Sequence, residues 1–512
     1  MFGSWFSFKK NGLLIMALLF TTCIVAQGQK RIRLVQADEL SYDKMLGDEV
    51  RRVKGNVQFE HEGAYLYCDS ALLDEKTNNV TCFSRIHIKS SDTLNLYGDM
   101  LTYNGDTRIA DITGKVKLID NQTVLTTTHL IFDRNTQIAK YEVGGVIINK
   151  ENKLISRIGH YYTQQKEFFF KERVVLTNPD YVVNSDTLKY NTLSRTAFFC
   201  GPSTIKGKKN FIYCENGWYD TRNDVSRFSK KAYFINGDQL LKGDSLYYDR
   251  TNGIGKGFNN VSITDTVQNI IIRGNLGNYY EKSGFATMTD SAYAILIDKN
   301  DSLFLHSDTL KATFDSLRTT KALYSFHSAK FFRNDLQGMC DSLVYTISDS
   351  LLTLYHKPVL WSQANQLTAD TICILIKNRQ ISELLMYNAA FIISKDTLKG
   401  YNQIKGRNMH GYFRNNDLVK VTVEGNAETI YWIREDDGAL IGINKAVSGN
   451  MDIRIKENKV KKITYIGQPK ETLFPEKDLL EPDLYLRDFK WLEKSRPLKK
   501  EDIFGKEIGV GN

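Results

Sequence analysis

The side chains best suited to chemistry in this sequence are its eight histidines, its seven cysteines and a recurring series of aspartates. The histidines (His61, His87, His129, His160, His306, His327, His356 and His410) are scattered. None forms H-E-x-x-H, and none stands beside a cysteine pair with zinc spacing, so no metal site is expected. No G-x-S-x-G elbow is present. The glycine run Gly253-Ile254-Gly255-Lys256-Gly257 links two expected strands rather than a strand and a helix, which argues against a phosphate loop. The aspartates recur at 38, 69, 99, 186, 244, 308, 341 and 370. A carboxylate ladder of this kind could bind calcium, but several copies carry Thr, Ile or Asn instead, and stacked like charges repel without a cation. Turn residues that accept backbone hydrogen bonds at strand entry are the expected role. The reading is therefore of a protein with no catalytic residues, no cofactor and no enzymatic activity.

The compartment follows from the first residues and the cysteines. Lys9 and Lys10 precede an apolar run of about 14 residues, shorter than the ~20 a spanning helix needs. Ala26-Gln27-Gly28 presents small residues at a cleavage site, so residues 1–28 are expected to be a signal peptide. A retained anchor and lipidation through Cys23 are the weaker alternatives. Lys9 and Lys10 account for two of the formal +9 charges, leaving a mildly basic mature chain of +7. That charge suits an anionic lipid headgroup and suits plain solubility equally. No arginine cluster interleaved with aromatics points to nucleic acid. Six cysteines remain after Cys23; Cys68 and Cys82 are 14 apart, as are Cys200 and Cys214. Neighbouring strands could join such pairs, and both disulfides and buried thiols fit.

The elements that would carry these residues are strands. Tyrosine and phenylalanine number 27 each against only 7 prolines, a bias toward pleated sheet. An internal period fixes the architecture. A first signature, Asp-x-Leu-x-Tyr or a relative, starts at residues 38, 69, 99, 128, 158, 186, 215, 244, 275, 308, 341, 370, 408 and 450. A second is centred 16 to 21 residues after each start, as Gly-x-Val-x-Phe at 55–59, Ser-x-Ile-x-Ile at 84–88 and Gly-x-Val-x-Leu at 114–118. Both alternate with period two, so each is a strand with one apolar face. Turn clusters such as Tyr103-Asn104-Gly105-Asp106 separate them. A unit of ~30 residues cannot bury its apolar face alone, whereas stacked units bury it together. The expectation is an all-β, elongated repeat of antiparallel strands over 29–466, in about fourteen units. A charged, proline-containing C-terminal tail over 467–512 follows it. That tail either docks a partner or frays.

Ala37-Asp38-Glu39-Leu40-Ser41-Tyr42-Asp43 followed by Val53-Lys54-Gly55-Asn56-Val57 resembles the OstA-like domain. Gly98-Asp99-Met100-Leu101-Thr102-Tyr103 with Thr113-Gly114-Lys115-Val116 fits the same pattern. The resemblance is clearest over 30–150 and is carried by the repeat to about residue 430. It implies a V-shaped, jellyroll-like pair of antiparallel sheets, as in the LptA-like periplasmic lipopolysaccharide-transport proteins, whose apolar interior shields acyl chains. It further implies lipopolysaccharide or a related lipid as ligand, and like-folded transport components joined through edge strands as partners. A periplasmic location follows, with the outer membrane and its translocon as a further contact. The repeat array is longer than in the single-domain bridge proteins, and no barrel-forming run follows it, so a bridge is expected rather than the outer-membrane component.

On this reading the lipid groove is lined by Leu40, Tyr42, Val57, Phe59, Ile86, Ile88, Leu101, Tyr103, Val116, Leu118, Leu130 and Phe132. Taken singly, each is equally a core residue. An acyl chain exposed to water costs ~0.8 kcal/mol per CH₂, so a continuous apolar path is what transport requires. The alternative is a structural or adhesive exported β-solenoid with a closed core and no lipid.

Overall fold

A computed structural model describes residues 31–505, apart from 43, 44, 46–48, 209, 299, 300, 317, 318, 378, 379, 397, 416, 436, 457 and 458. The expected signal peptide lies outside the described residues. The described chain contains 36 strands, paired antiparallel, and no α-helix; four short 3₁₀ turns follow the last strand. The all-β, antiparallel repeat is as the sequence implies.

The strands fall into two compact units. One comprises the residues up to Asn121 with Thr128–Thr136, the other Gln122–Thr127 with Gln137 onward. The strand Thr123–Asp133 contributes to both.

In the first unit the strands Val50–His61, Ala64–Asp74, Asn79–Lys89, Leu94–Asn104 and Ile109–Asp120 form a meander, each antiparallel to the next. A break in register recurs at the middle of every pair. Lys54 faces Ser70, but the next pair is Val57 with Cys68, so Gly55 and Asn56 stand opposite Asp69 alone. Asp99 likewise faces Ser84 and Arg85. Two residues against one is a β-bulge, which bends the strand and increases its twist. Both bulge residues are left-handed, as at Ser84 (φ 64°) and Arg85 (φ 47°). Each strand is thus split into two arms.

The inner faces of these arms carry the core. Val57, Phe59, Leu66, Ile86, Ile88, Leu96, Val116 and Leu118 come from one arm, and Val53, Leu73, Val80, Leu101 and Ile112 from the other; all are buried. Fully burying one such side chain contributes ~1.5–3 kcal/mol.

The second unit repeats the plan. Its strands from Glu167–Thr177 to Ile270–Tyr280 form a meander with the same central bulge. Left-handed pairs recur at Glu172-Arg173, Lys230-Lys231, Asn259-Asn260, His327-Ser328 and Asn388-Ala389. One cluster of buried residues runs from Val261 to Ile453.

The segment from 467 onward lies against its own unit. Lys470–Phe474 pairs with Leu440–Lys456, Phe474 opposite Ile443. The 3₁₀ turns Glu476–Asp478, Glu481–Leu484, Glu493–Ser495 and Lys500–Phe504 then cross the sheet on its outer face, as their hydrogen bonds to Gln403, Gln366 and Lys330 require.

Candidate functional site: the interior between the two arms

Five of the repeated acids, Asp69, Asp99, Asp186, Asp244 and Asp341, stand at mid-strand, whereas Asp38, Asp308 and Asp370 stand at strand entry, just before Glu39–Tyr42, Thr309–Phe314 and Thr371–Lys377. Asp69 lies within Ala64–Asp74 and Asp99 within Leu94–Asn104. Four of the carboxylates meet a residue of the bulge beside them. Asn56 Nδ2 donates to Asp38 (2.9 Å), Arg85 Nε to Asp69 (2.7 Å), the Lys115 backbone N–H to Asp99 (2.9 Å) and Asn260 Nδ2 to Asp244 (2.9 Å). Gly114 (φ 96°) closes this arrangement, because a Cβ there would sit 2.5 Å from an Asp99 carboxylate oxygen. Asp38, Asp69, Asp99 and Asp244 are therefore bend clips, each with its own donor.

The turn function expected of them belongs to the residue five places later. Asp74, Asp133 and Asp220 accept from backbone N–H groups two and three residues on, the geometry of an Asx turn. Among the described residues no group of three or more His, Cys, Asp or Glu side chains is placed to hold a metal.

Ten of the twelve groove candidates point into the interior of the first unit. Val57, Phe59, Ile86, Ile88, Val116 and Leu118 line one arm; Leu101, Tyr103, Leu130 and Phe132 line the other, and all ten are buried. Leu40 and Tyr42 differ, being 50% and 58% exposed. They lie on the strand Glu39–Tyr42, which among the described residues pairs only with Val50–His61. Leu40 shares a face with its buried partner Val53, but no further strand covers it.

The space between the arms is nearly filled. A cavity of about 20 Å³ remains, lined by both arms through Phe59, Leu66 and Ile88 on one side and Leu101, Ala110 and Phe132 on the other. That is room for about one water molecule, not an acyl chain.

The mouth of this interior is closed by a polar clasp. The Tyr103 hydroxyl is 2.8 Å from His61 Nδ1, and Arg134 Nη1 donates to that hydroxyl (2.9 Å) and to the His61 carbonyl (3.1 Å). Arg134 Nη2 reaches the Glu62 carbonyl, and Arg108 pairs with the Glu62 carboxylate at 2.8 Å. A guanidinium can only donate, so the Tyr103 proton is free to point at His61 Nδ1. Burial pushes the Tyr103 phenol up, against the pull of Arg134, and keeps it protonated. His61 follows Val57 and Phe59 on the apolar face at period two, and a polar group in such a place needs a partner. That was the available signal for the clasp; Arg134 gave none, since its Asp133-Arg134-Asn135 context reads as an ordinary turn.

In the second unit the arms also meet at a polar contact. Thr320 Oγ1 donates to Asp265 (3.2 Å) beside a cavity of about 20 Å³ bordered by Ile263, Ile272 and Phe314.

The six described cysteines are free thiols. Burial, then the neighbouring Cys68 thiol, pushes Cys82 up; burial pushes Cys214 and Cys340 up to about 12. Such thiols are poor nucleophiles and poor metal ligands. Among the described residues no helix is long and apolar enough to cross a membrane, which leaves strands unaddressed.

Residues 29–187 match the family model described as OstA-like protein. This part of the chain is similar to OstA-like proteins. The match covers the whole first unit from its first described strand and runs into the second as far as the strand Tyr181–Asn191. The OstA-like region therefore contains the clasp and every groove candidate. Among solved structures, one similar to the chain is LptH of Pseudomonas aeruginosa, described as the LptA-homologous periplasmic component of the lipopolysaccharide transport device. It is 15% identical, with 23% of this chain and 81% of that chain covered and a TM-score of 0.21. No curated protein matches the chain.

Proposed function

We propose that the chain is a periplasmic lipid-binding bridge that shields the acyl chains of lipopolysaccharide or a related lipid between the two arms of its bent sheet. The observation that carries this reading is the OstA-like match over residues 29–187, which coincides with an apolar interior whose mouth is held by hydrogen bonds and one ion pair. Entry of lipid requires the clasp to part and the arms to splay. The side chains that now pack on one another would then pack on methylenes at ~0.8 kcal/mol each. Passage along such a path makes and breaks no covalent bond, so the reading calls for no nucleophile.

Two further features support a bridge. The strands Arg33–Gln36 and Glu39–Tyr42 pair with Val50–His61, and among the described residues they pair along one edge only; an open edge is a template for a like-folded partner. The mildly basic charge suits an anionic headgroup. On this reading the protein works in the periplasm and in outer-membrane assembly.

The second reading is an exported β-body with a permanently closed core. The small cavity favours it.

A photo-crosslinking residue at Leu101 or Leu118, with the half-exposed outward residue Met100 as control, separates the two. The bridge predicts lipopolysaccharide adducts at the inward positions and few at Met100. It also predicts lipid accumulating at the inner membrane when the protein is depleted. Adducts absent at every inward position would leave the closed core standing.

A further inference from the structure

The outer face of the second unit carries a row of side chains, one from each successive strand, running Gln337, Trp361, Gln366, Ile393, Gln403, Ile430 and Lys445 through direct cross-strand pairs. Three buried glutamines recur at every second strand, and Trp361 between two of them has no exposed surface. A primary amide in such a place must have both its donor and its acceptor satisfied. The C-terminal segment satisfies them through its main chain. Gln403 donates to the Leu484 carbonyl and accepts from the Leu486 N–H, both at 2.8 Å. Gln366 does the same with Lys490 and Leu492, both at 2.7 Å. Gln337 instead accepts from Arg496 Nε at 2.8 Å.

Lys445 and Lys405 reach the Asp483 and Arg487 carbonyls, and Lys330 the Gly505 carbonyl. Successive glutamines are two strands apart, about 10 Å, and the six residues between their contacts are shortened to that span by turns. At Gln403 and Gln366 the row thus reads the segment's main chain at two points six residues apart.

The segment itself is one layer thick. Of residues 476–505 only Pro497 and Ile503 are buried, and its apolar anchors, such as Leu484 and Leu486, pack on Ile430, Trp432 and Ile443 outside the main core. It can therefore leave without opening that core, as chain termini with few buried contacts do. Its departure would bare Trp361, Ile393, Ile430 and Trp432 together, a patch that soluble proteins seldom leave uncovered. The sequence that fits the row is this segment, and a second copy of the chain carries it.

We propose that the amide row is an exchangeable interface between copies, residues 476–505 of one chain occupying the row of another. Exchange of an identical element is a low-cost route to association because every contact already exists within one chain. The inference concerns the outer face and does not depend on what the interior holds.

The test uses full-length chains. An unlabelled chain with a photo-crosslinking residue in place of Trp491, whose ring lies 5.2 Å from that of Tyr401, is equilibrated with a ¹⁵N-labelled chain. Cross-linked peptides joining position 491 to the Tyr401 strand are then weighed. Exchange yields mixed-isotope products that increase with protein concentration. Gln366→Ala with Gln403→Ala in the labelled chain should reduce them at least about tenfold, as expected when two hydrogen-bonded amides are lost. Unmixed products alone at every concentration would overturn the proposal. Mixed products indifferent to the two glutamines would overturn it as well, since the contact would then not run through the row.

Discussion

At the scale of single residues, the clasp is where the interior is most exposed to perturbation. Tyr103 serves both His61 and Arg134 through one hydroxyl, and removing it takes one hydrogen bond from each. Tyr103→Phe should therefore destabilise the first unit by about 1–3 kcal/mol, read as a lower urea midpoint. Tyr65→Phe, at a ring 39% exposed on the same sheet and outside the clasp's hydrogen bonds, should stay within about 0.5 kcal/mol. Equal effects would mean that the clasp bears no part of the closure. The inward leucines and aromatics were legible because alternation forces them onto one face. Leu40 and Tyr42 obey the same alternation, and their exposure follows from their place at the end of the sheet, which no periodicity encodes.

At the scale of the strand, the bend was the feature least visible beforehand, although it leaves a trace. The apolar alternation slips by one at each repeated acid: Leu66 and Cys68 face inward, then Ala71 and Leu73; Leu96 and Gly98, then Leu101 and Tyr103. A slip of one turns the next half-strand's other face inward unless the strand bends, so the bulge restores what the slip would undo. The left-handed residues that make the bulge vary, being Gly-Asn, Ser-Arg, Lys-Lys, Asn-Asn or His-Ser, so only where a glycine such as Gly55 or Gly114 opens the second signature does their type mark it.

The turns five residues beyond the acids carry their own electrostatics. The hydrogen bond from the Thr77 side chain, with backbone N–H groups behind it, holds Asp74 below the usual 3.8; Asn223 and its neighbours do the same for Asp220, and Asn252 for Asp249. For Asp133, burial would raise the carboxyl, but N–H and hydroxyl donors from Asn135 and Thr136 outweigh it. A carboxyl depressed on folding stabilises the native state above its unfolded pKa, and that contribution is lost as pH falls through the folded value. The melting temperature should thus be flat above about pH 5 and fall steeply below about pH 4. Replacing Asp74 and Asp220 with Asn, which keeps the turn acceptor, should shrink the acid-side drop. A drop unchanged by both substitutions would place its origin elsewhere.

At the scale of the molecule, a repeat array holds together through neighbours, each layer stabilised by the one before and after it. A core defect should then weaken its own stretch of the array and fade with distance, unlike a defect in a globule with one central core. The tryptophans provide a natural reporter: Trp218, Trp361, Trp432 and Trp491 all lie in the second unit, leaving only Trp5 of the expected leader elsewhere. Leu101 and Leu118 have no exposed surface and belong to the first unit. Leu118→Ala should cost that unit about 2–5 kcal/mol, visible as an earlier loss of strand signal in far-ultraviolet circular dichroism. Tryptophan fluorescence, reporting the second unit, should keep its midpoint. If the two probes shift together by the full amount, unfolding is all-or-none over the whole chain, and the additive picture of stacked layers is wrong for this protein. If they separate, the first unit can loosen while the second stays folded, which is the behaviour that parting the OstA-like arms around a lipid would need.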